Sequence, residues 1–258
     1  IKTVKFSYSP QKILKTFVVA EIGSNWEGSM KKAEKIIQEC KKAGANAVKF
    51  QMWRASDLYS SNHPDWKTIK KSEITFEKAR ILKKLADKNK IEFFCSAFYP
   101  EAVDFLKILG VKRYKVASRT CLLKDPFALE TLTSKASTKK PIIISMGMGG
   151  NTKKINNLFS KNKKIFCYCI SDYPLKFSKI NWKEAIKFDG FSDHTMGITA
   201  AIIFSTFKMQ QKTPEIFIEK HVKLKNSKGP DASTSIDTKK FAELISHLRI
   251  IEKGIFFN

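Results

Sequence analysis

Acidic residues and arginine are both scarce in this 258-residue chain. Lysine and arginine together number 48 against 24 aspartate and glutamate residues, which gives a formal net charge of +24 at pH 7. Only five of the 48 basic residues are arginine, although arginine is the side chain that binds phosphates and base edges bidentately. We therefore expect a lysine-coated, solvated surface and no specific nucleic-acid partner. A basic surface for an anionic partner, such as a nucleic acid bound without sequence preference, is the alternative interpretation of the same charge.

Long apolar runs and paired cysteines are also missing. No stretch approaches the roughly 18 consecutive apolar residues that a membrane helix needs, and the first residues, IKTVKFSYSP, lack the apolar segment of a signal peptide. These absences predict a cytoplasmic protein without membrane contact. The five cysteines are odd in number and form no C-x-x-C pair, so we expect buried, reduced thiols rather than disulfides or a cysteine metal site.

Short apolar runs alternate with amphipathic segments along the whole chain, and 43% of the residues are hydrophobic. The predicted strands are 17–23, 45–51, 92–98, 113–118, 141–147, 164–170, 188–194 and 215–222. The predicted helices are 29–43, 75–89, 100–109, 126–136, 151–160, 181–187, 197–209 and 238–253. Apolar strands that alternate with helices form a parallel sheet buried on both faces. Eight such units predict an α/β fold, a (β/α)8 TIM barrel.

No repeat, linker or low-complexity segment divides the chain, so we predict one barrel domain over residues 1–258. Residues 1–16 precede the first strand and are predicted to form a short hairpin across the bottom of the barrel. The longest irregular stretch, residues 52–73, follows the second strand. Because the loops after barrel strands form the catalytic face, we predict that this stretch is a lid or a substrate loop.

Polar residues stand at the end of every predicted strand, and these ends meet at one mouth of a TIM barrel. In strand order they are Glu21; Lys49 and Gln51; Ser96; Lys115 and Ser118; Ser145; Ser171 and Tyr173; Ser192, Asp193 and His194; and Glu219 and His221. Charged side chains inside apolar strands are costly to bury alone, and convergence on one pocket explains them. Two lysines with several hydroxyls predict an anion site for phosphate and carboxylate together.

His194 and His221 close neighbouring predicted strands, which lie about 4.8 Å apart in a sheet, so both imidazoles can reach one metal ion. Two histidines with oxygen ligands from water or substrate suit Mn²⁺, with Mg²⁺ or Co²⁺ as alternatives. Glu21 is predicted to pair with Lys49, to act as a general acid or base, or to do both. Asp231 belongs to a Gly-Pro-Asp turn after the eighth strand, beside His221.

Eight sequence blocks occur in order along the predicted barrel. They are AEIGSNWEG (20–28), AVKFQ (47–51), YKVAS (114–118), PIIISMGM (141–148), SDYP (171–174), FSDHT (191–195), IEKH (218–221) and GPD (229–231). Each block alone is a weak signal. Together they resemble the sialic acid synthase family, whose members make sialic, legionaminic and pseudaminic acids.

This resemblance implies a condensation of phosphoenolpyruvate with the open-chain aldehyde of an N-acylated hexosamine such as N-acetylmannosamine. Water is consumed, and a nine-carbon 2-keto acid and phosphate are formed. By resemblance, the phosphate is held by Lys49, Ser145, Ser171 and Ser192, and the carboxylate by Lys115, Ser118 and Ser96. The remaining implied residues are Gln51, Tyr173 and Asp231 toward the sugar, Glu21 for the water that adds to C2, and His194 and His221 for Mn²⁺. Glu21 and Asp231 are the implied catalytic carboxylates.

Four features depart from the family pattern. Trp26 stands where the family usually has histidine, and Arg119 and Thr120 stand where it usually has an acidic residue. Ser96 replaces a frequent threonine. Family members usually continue into a small antifreeze-protein-like domain that is swapped over the partner's active site, whereas this sequence ends at Asn258. We expect a homodimer by resemblance, near-normal phosphoenolpyruvate binding, and a weak or altered preference among sugars.

Two other functions compete with this one besides nucleic-acid binding. The first is a related phosphoenolpyruvate-dependent, aldol-type synthase that acts on a sugar phosphate. The second is an inactive or regulatory anion-binding barrel of the same family. Both histidines, both lysines and Glu21 are present, which favours an active enzyme over a decayed site.

Overall fold

Eight parallel strands alternate with helices over residues 15–254, the part of the chain that the computed structural model describes. The strands are β1 (Thr16–Glu21), β2 (Ala47–Met52), β3 (Glu92–Ala97), β4 (Tyr114–Val116), β5 (Ile142–Ser145), β6 (Lys164–Cys169), β7 (Gly190–Asp193) and β8 (Ile216–Lys223). Each strand pairs with the next, and β8 pairs with β1 to close the ring. The predicted (β/α)8 barrel is therefore confirmed.

All eight predicted helices are present at their expected places. The helices are α1 (Met30–Ala43), α2 (Ala55–Leu58), α3 (Trp66–Ser72), α4 (Phe76–Lys88), α5 (Pro100–Ile108), α6 (Ala128–Ser137), α7 (Thr152–Leu158), α8 (Trp182–Ala185), α9 (Thr199–Gln210) and α10 (Thr238–Gly254). α1 shows why the sequence marks helix ends so clearly. The Ser29 side chain accepts a hydrogen bond from the Lys32 backbone nitrogen, and Gly44 ends the helix with φ of +92°.

The stretch of residues 52–73, predicted to be irregular, contains the short helices α2 and α3, so that prediction was wrong. Its apolar side chains form a small cluster of their own, made of Trp53, Ala55, Ile69 and Phe98. Because Phe98 directly follows β3, this cluster holds the stretch against the C-terminal end of the barrel. The sequence of this stretch shows no helical periodicity, because α2 has only four residues. A lid function for this stretch stays a prediction.

A ninth strand, β9 (Ile236–Asp237), lies beside the end of β8 and was not predicted. It pairs in parallel with Val222 and Lys223, the last residues of β8. Two residues are too few to show an alternating pattern. Of the hairpin predicted for residues 1–16, only residues 15 and 16 are described, and Thr16 already begins β1. The rest of that prediction lies outside the described residues.

The barrel wall is buried on both sides, as nearly continuous apolar strands require. Val18, Val19 and Ala20 of β1 are all fully buried. Four of the five cysteines are buried as expected, but Cys169 at the end of β6 is half-buried, because it borders the open mouth. Within residues 15–254, no helix combines the length and apolar character that crossing a bilayer requires.

Candidate active site

A pocket opens at the C-terminal ends of the barrel strands. It is lined by Glu21, Lys49, Gln51, Ser96, Lys115, Ala117, Ser118, Ser145, Tyr173, Ser192, His194, Glu219 and His221. Thirteen residues have a role in the sequence-based prediction of the site, and eleven of them lie in this lining. The strands bring them together because side chains that end parallel strands meet at the same end of a barrel. Their individual roles stay predictions. Asp193, which was also expected to converge on the pocket, does not line it, because side chains alternate along a strand and its neighbours Ser192 and His194 face the mouth.

Glu219 lies at the centre of this pocket and contacts groups from three other strands. Its Oε1 accepts hydrogen bonds from the Lys115 ammonium at 3.2 Å and from the Ser192 hydroxyl at 2.9 Å. Its Oε2 lies 3.4 Å from the Lys49 ammonium. Lys115 also donates to Ser145 Oγ at 2.6 Å. One buried carboxylate of β8 therefore links side chains of β2, β4 and β7.

Burial and ion pairing set the charge of this network. Burial alone would raise the pKa of Glu219, but Lys115 and Lys49 together hold that pKa well below the usual range of a carboxyl. Burial also disfavours the charged form of Lys115, yet the Glu219 carboxylate raises the pKa of Lys115 above its ordinary value. Glu219 and Lys115 are therefore both charged at neutral pH.

Glu21, the last residue of β1, is a second buried carboxyl with a different charge state. Its Oε2 lies 3.0 Å from the Lys49 ammonium, and its Oε1 accepts a hydrogen bond from Gln51 Nε2 at 2.5 Å. The Glu21–Lys49 pair expected from the sequence is therefore present. Burial raises the pKa of Glu21 to about 7, with Lys49 opposing the shift and Glu219 adding to it. Glu21 can consequently accept or release a proton near neutral pH.

His194 and His221 face each other at the ends of β7 and β8, with ring centroids 5.4 Å apart. His194 Nδ1 lies 2.7 Å from the Ile170 carbonyl oxygen, so this nitrogen donates and Nε2 is left for another partner. His221 Nδ1 is buried and has no hydrogen-bond partner among residues 15–254. Burial lowers the pKa of His221 to about 3, so its imidazole is neutral at pH 7.

The rim of the pocket is formed in part by Tyr173. Its ring lies over that of His194, with centroids 4.2 Å apart, and meets the ring of His221 edge-on at 6.2 Å. The side chain is 53% exposed, so it forms a wall between the two histidines and solvent. The expectation that Tyr173 faces the sugar stays a prediction.

Asp231 and Ser171 lie beside the pocket rather than in its lining. Asp231 Oδ2 accepts hydrogen bonds from the Ser24 backbone nitrogen and hydroxyl, each at 2.7 Å. Gly23 has φ of +51°, and a Cβ at that position would lie 2.3 Å from Asp231 Oδ2. The loop after β1 therefore holds the Asp231 carboxylate at the edge of the site. Ser171 follows β6, and its hydroxyl is buried.

Glu219 has no role in the sequence-based prediction, although it is one of the polar residues of the eighth strand. The signal that could have found it is spacing. Glu219 and His221 are two residues apart in a strand, so both side chains point to the inner side of β8. Glu219 therefore lies on the same side of β8 as His221, a candidate metal ligand. The predicted pocket also contains two lysines, Lys49 and Lys115, which are natural partners for a carboxylate.

Comparisons with known proteins identify the family of this chain. The NeuB family model matches residues 36–255. An uncharacterized protein of Methanocaldococcus jannaschii is 32% identical over 252 residues, covering 92% of this chain and 71% of that protein. The N,N'-diacetyllegionaminic acid synthase of Legionella pneumophila is 30% identical over 267 residues, covering 92% of this chain and 72% of the synthase.

Solved structures give the same result. The crystal structure of N-acetylneuraminic acid (sialic acid) synthetase from Leptospira borgpetersenii, in complex with citrate, superposes with a TM-score of 0.83 at 25% identity. The match covers 95% of this chain and 87% of that one. The family model, the relatives and the barrel architecture agree over nearly the same residues. The chain belongs to the NeuB family.

Proposed function

We propose that this chain joins phosphoenolpyruvate to the open-chain aldehyde of an N-acylated hexosamine of the N-acetylmannosamine type. The reaction consumes water and gives a nine-carbon 2-keto acid and inorganic phosphate. The observation that carries the proposal is the pair of buried lysines, Lys49 and Lys115, that reach one pocket among serine hydroxyls. Family membership supports it, as do relatives named as synthases of legionaminic and N-acetylneuraminic acids.

The two lysines provide the charge for a ligand that carries both a phosphate and a carboxylate. Lys49 donates to Ser96 Oγ at 3.2 Å and Lys115 to Ser145 Oγ at 2.6 Å. The implied assignment pairs them the other way, with Lys49 and Ser145 on the phosphate and Lys115 and Ser96 on the carboxylate. The contacts therefore favour one continuous anion site in which each lysine borders both groups. Ligand anions would take over hydrogen bonds that Glu219 now accepts.

Glu21 is the group best placed to move a proton. In the proposed reaction C3 of phosphoenolpyruvate bonds to the aldehyde carbon, and water adds to the electron-poor C2. Glu21 accepts one proton of that water, and the second leaves as the C2 hydroxyl becomes the keto group and the bond between C2 and the bridging oxygen breaks. The two protons end on the former aldehyde oxygen, which becomes a hydroxyl, and on the released phosphate. A carboxyl with a pKa of about 7 is suited to this exchange at neutral pH. The adjacent Lys49 ammonium favours the carboxylate form that accepts the proton.

The histidine pair fits a divalent metal, for which we propose Mn²⁺, with Mg²⁺ or Co²⁺ as alternatives. Both imidazoles face one space, and the buried His221 Nδ1 has no protein partner in the described part of the chain. No cluster of three or more His, Cys, Asp or Glu side chains within residues 15–254 is arranged as a metal site. The remaining ligands would therefore come from water or substrate. A bound metal ion would supply Lewis-acid polarisation of the sugar aldehyde.

The sugar side of the site differs from the family pattern at the loop after β4. Arg119 stands there, and its guanidinium donates to both carboxylate oxygens of Asp125, at 2.8 and 2.7 Å. Thr120 is buried. The acidic side chain in this loop is thus already engaged by an arginine, and we propose that sugar selectivity departs from that of the named relatives.

Phosphate release with phosphoenolpyruvate, Mn²⁺ and a panel of N-acylated hexosamines and their phosphates tests the proposal. Phosphoenolpyruvate labelled with ¹⁸O at the bridging position is expected to give labelled phosphate, since water attacks C2 rather than phosphorus. Unlabelled phosphate would exclude this mechanism. Turnover restricted to sugar phosphates without an N-acyl group would favour the aldol-type synthase. Tight phosphoenolpyruvate binding without turnover of any sugar would favour an inactive anion-binding barrel.

A further inference from the structure

A buried ion pair lies on the outer side of the barrel wall, directly behind the two histidines. Lys220 and Asp193 are both fully buried, and the Lys220 ammonium lies 2.9 Å from Asp193 Oδ2. The two residues are register neighbours on β8 and β7. Because side chains alternate along a strand, they point away from the pocket while His194 and His221, the next residues, close it.

The pair also fixes the turn that follows His194. Lys220 donates to the Thr195 carbonyl oxygen, and its ammonium lies 3.5 Å from Thr195 Oγ1. Asp193 Oδ1 accepts hydrogen bonds from the backbone nitrogen and the hydroxyl of Thr195, each at 2.8 Å. The residues before and after His194 are therefore tied to one ammonium, and that ammonium belongs to the residue before His221.

His194 is held from its other sides as well. Its carbonyl oxygen accepts hydrogen bonds from the Leu175 backbone nitrogen at 2.9 Å and the Thr234 hydroxyl at 3.1 Å. Its ring is oriented by the Ile170 carbonyl. The ring and the carbonyl of His194 are thus fixed. Its distance from His221 then depends on the contact between β7 and β8 next to the two histidines, where Asp193 pairs with Lys220. Lys220 provides that contact through its side chain.

A buried ion pair is a poor choice for stability alone. Apolar residues of similar size often replace such pairs without loss, since desolvating two charges offsets their attraction. Small displacements of a ligand-binding side chain, by contrast, have large functional effects. We propose that Lys220 and Asp193 are positioning residues that set the relative placement of His194 and His221 for a shared metal ion. This inference rests on the metal site proposed above.

The chain offers a matched control at the opposite end of the same strand. Lys208 is also buried, lies 3.2 Å from Asp189 Oδ1, and donates to the Ile186 carbonyl at 3.2 Å. Asp189 immediately precedes β7, so this pair is at the end of the barrel away from the histidines. Lys208→Met therefore removes a buried ammonium from a carboxylate and a carbonyl without touching the mouth, although Asp189 is 60% exposed and Asp193 is fully buried.

The experiment measures Mn²⁺ binding to the full chain by titration calorimetry, without substrate, beside unfolding midpoints. Lys220→Met is expected to weaken Mn²⁺ binding about 10- to 100-fold, the range typical of outer-shell partners of metal ligands. Lys208→Met is expected to leave Mn²⁺ affinity within about twofold. The double variant Asp193→Leu/Lys220→Met, which leaves no unpaired charge, is expected to recover stability but not Mn²⁺ affinity.

Three results separate the possibilities. If the unaltered chain does not bind Mn²⁺, the metal proposal fails, and this inference with it. If the unaltered chain binds Mn²⁺ and both lysine variants bind it equally well, the metal site stands and the positioning role is overturned. If neither Lys220 variant folds, Thr195→Val decides, because it removes one hydroxyl and no charge: unchanged Mn²⁺ affinity in that variant would overturn the proposal.

Discussion

The two ends of the barrel treat charged residues differently. At the N-terminal ends of β3 and β4, a surface cleft is lined by Lys83, Asp87, Lys90, Ile91, Glu92, Phe93, Gly110 and Lys112. Two of its charged side chains form simple pairs: Lys83 with Asp87 at 2.5 Å, and Glu92 with the neighbouring Arg113 at 2.6 Å. At the C-terminal end, one carboxylate, Glu219, is shared by two lysines and a serine inside the barrel.

This difference indicates which end of the barrel can use its charged side chains to bind a ligand. A paired charge in contact with water changes little when a partner is removed, because water and salt screen what remains. A charge shared inside the barrel cannot be screened, so removing one member alters all the others. The surface cleft is therefore the weaker candidate for chemistry, and the shared network is the stronger one.

The strongest test compares two single variants, each of which removes one lysine from one end of the barrel. Lys115→Met takes a buried ammonium from the anion site, and we expect turnover to fall about 10²- to 10³-fold, as when a charge-stabilising donor is lost. Lys112→Met removes an exposed ammonium from the opposite cleft, and turnover should change less than about twofold. Phosphate-release assays measure both, with unfolding midpoints to show that each variant folds. Equal losses in the two variants would remove the distinction between the two ends.

The histidine pair provides the next effect. His221→Ala removes one of two protein ligands of the proposed metal, so the Mn²⁺ concentration for half-maximal turnover should rise at least about tenfold. His247→Ala is the matched control, because His247 is exposed on α10 and does not line the pocket. Retention of full activity by His221→Ala in the presence of a chelator would contradict the metal proposal.

The third effect concerns the pH profile. Because Glu21 has a pKa of about 7, raised by burial, its ionised fraction increases as pH rises through 7. If Glu21 accepts the proton of the attacking water, kcat should increase across the same range. Glu21→Gln should lower kcat about 10²-fold or more and flatten that limb. Persistence of the limb in Glu21→Gln would assign it to another group.

The smallest effect is on stability and concerns Lys135, a buried lysine near the mouth that contacts no carboxylate within residues 15–254. Its ammonium donates only to the carbonyls of Ala97 and Lys115, at 2.7 and 2.9 Å, among the described residues. Burial lowers the pKa of Lys135 to about 7, below the ordinary value of 10.5 that applies in the unfolded chain. Between these values the unfolded chain binds more protons, so this group makes the folded state more stable as pH rises.

Lys135→Met removes that dependence. The unaltered chain should gain about 2 to 3 kcal/mol of unfolding free energy relative to Lys135→Met between about pH 6 and about pH 9. Urea unfolding at the two pH values measures the difference. Lys220→Met is the comparison. Burial also lowers the pKa of Lys220, but the Asp193 carboxylate opposes that shift, so we expect a weaker dependence on pH. A difference that does not change with pH would show that Lys135 stays charged in the folded protein.

Much of the fold could be predicted because it follows local rules. The eight strands are apolar runs, and α1 carries its own start and stop in Ser29 and Gly44. What the sequence did not predict depends on tertiary contact. α2 and α3 are too short for a helical period, and the two residues of β9 are ordered by pairing with β8. The apolar cluster around Trp53 that packs α2 and α3 includes Phe98, which follows β3, so it depends on a contact distant in sequence.

The members of the site were predictable, but their partners were not. Strand-end position placed Lys49, Lys115 and the two histidines at one mouth, as a parallel barrel requires. Strand order does not determine which hydroxyl a long lysine side chain reaches, so the Lys115–Ser145 contact could not be predicted from the sequence. Asp231 shows the same limit: its turn was identifiable, but its contact with Ser24 joins residues 207 positions apart.

The place of Glu219 on the last barrel strand has a consequence for how the chain folds. Lys115 and Glu219 are separated by 104 residues, so their contact forms only when β8 joins the ring. In any partly assembled sheet that lacks β8, two ammonium groups would point into the interior with Glu21 as their nearest carboxylate. Closing such a sheet without β8 would bury like charges together, which is unfavourable. Insertion of β8 brings one carboxylate to both ammonium groups, so we expect the acid that completes the pocket also to make closure of the barrel cooperative.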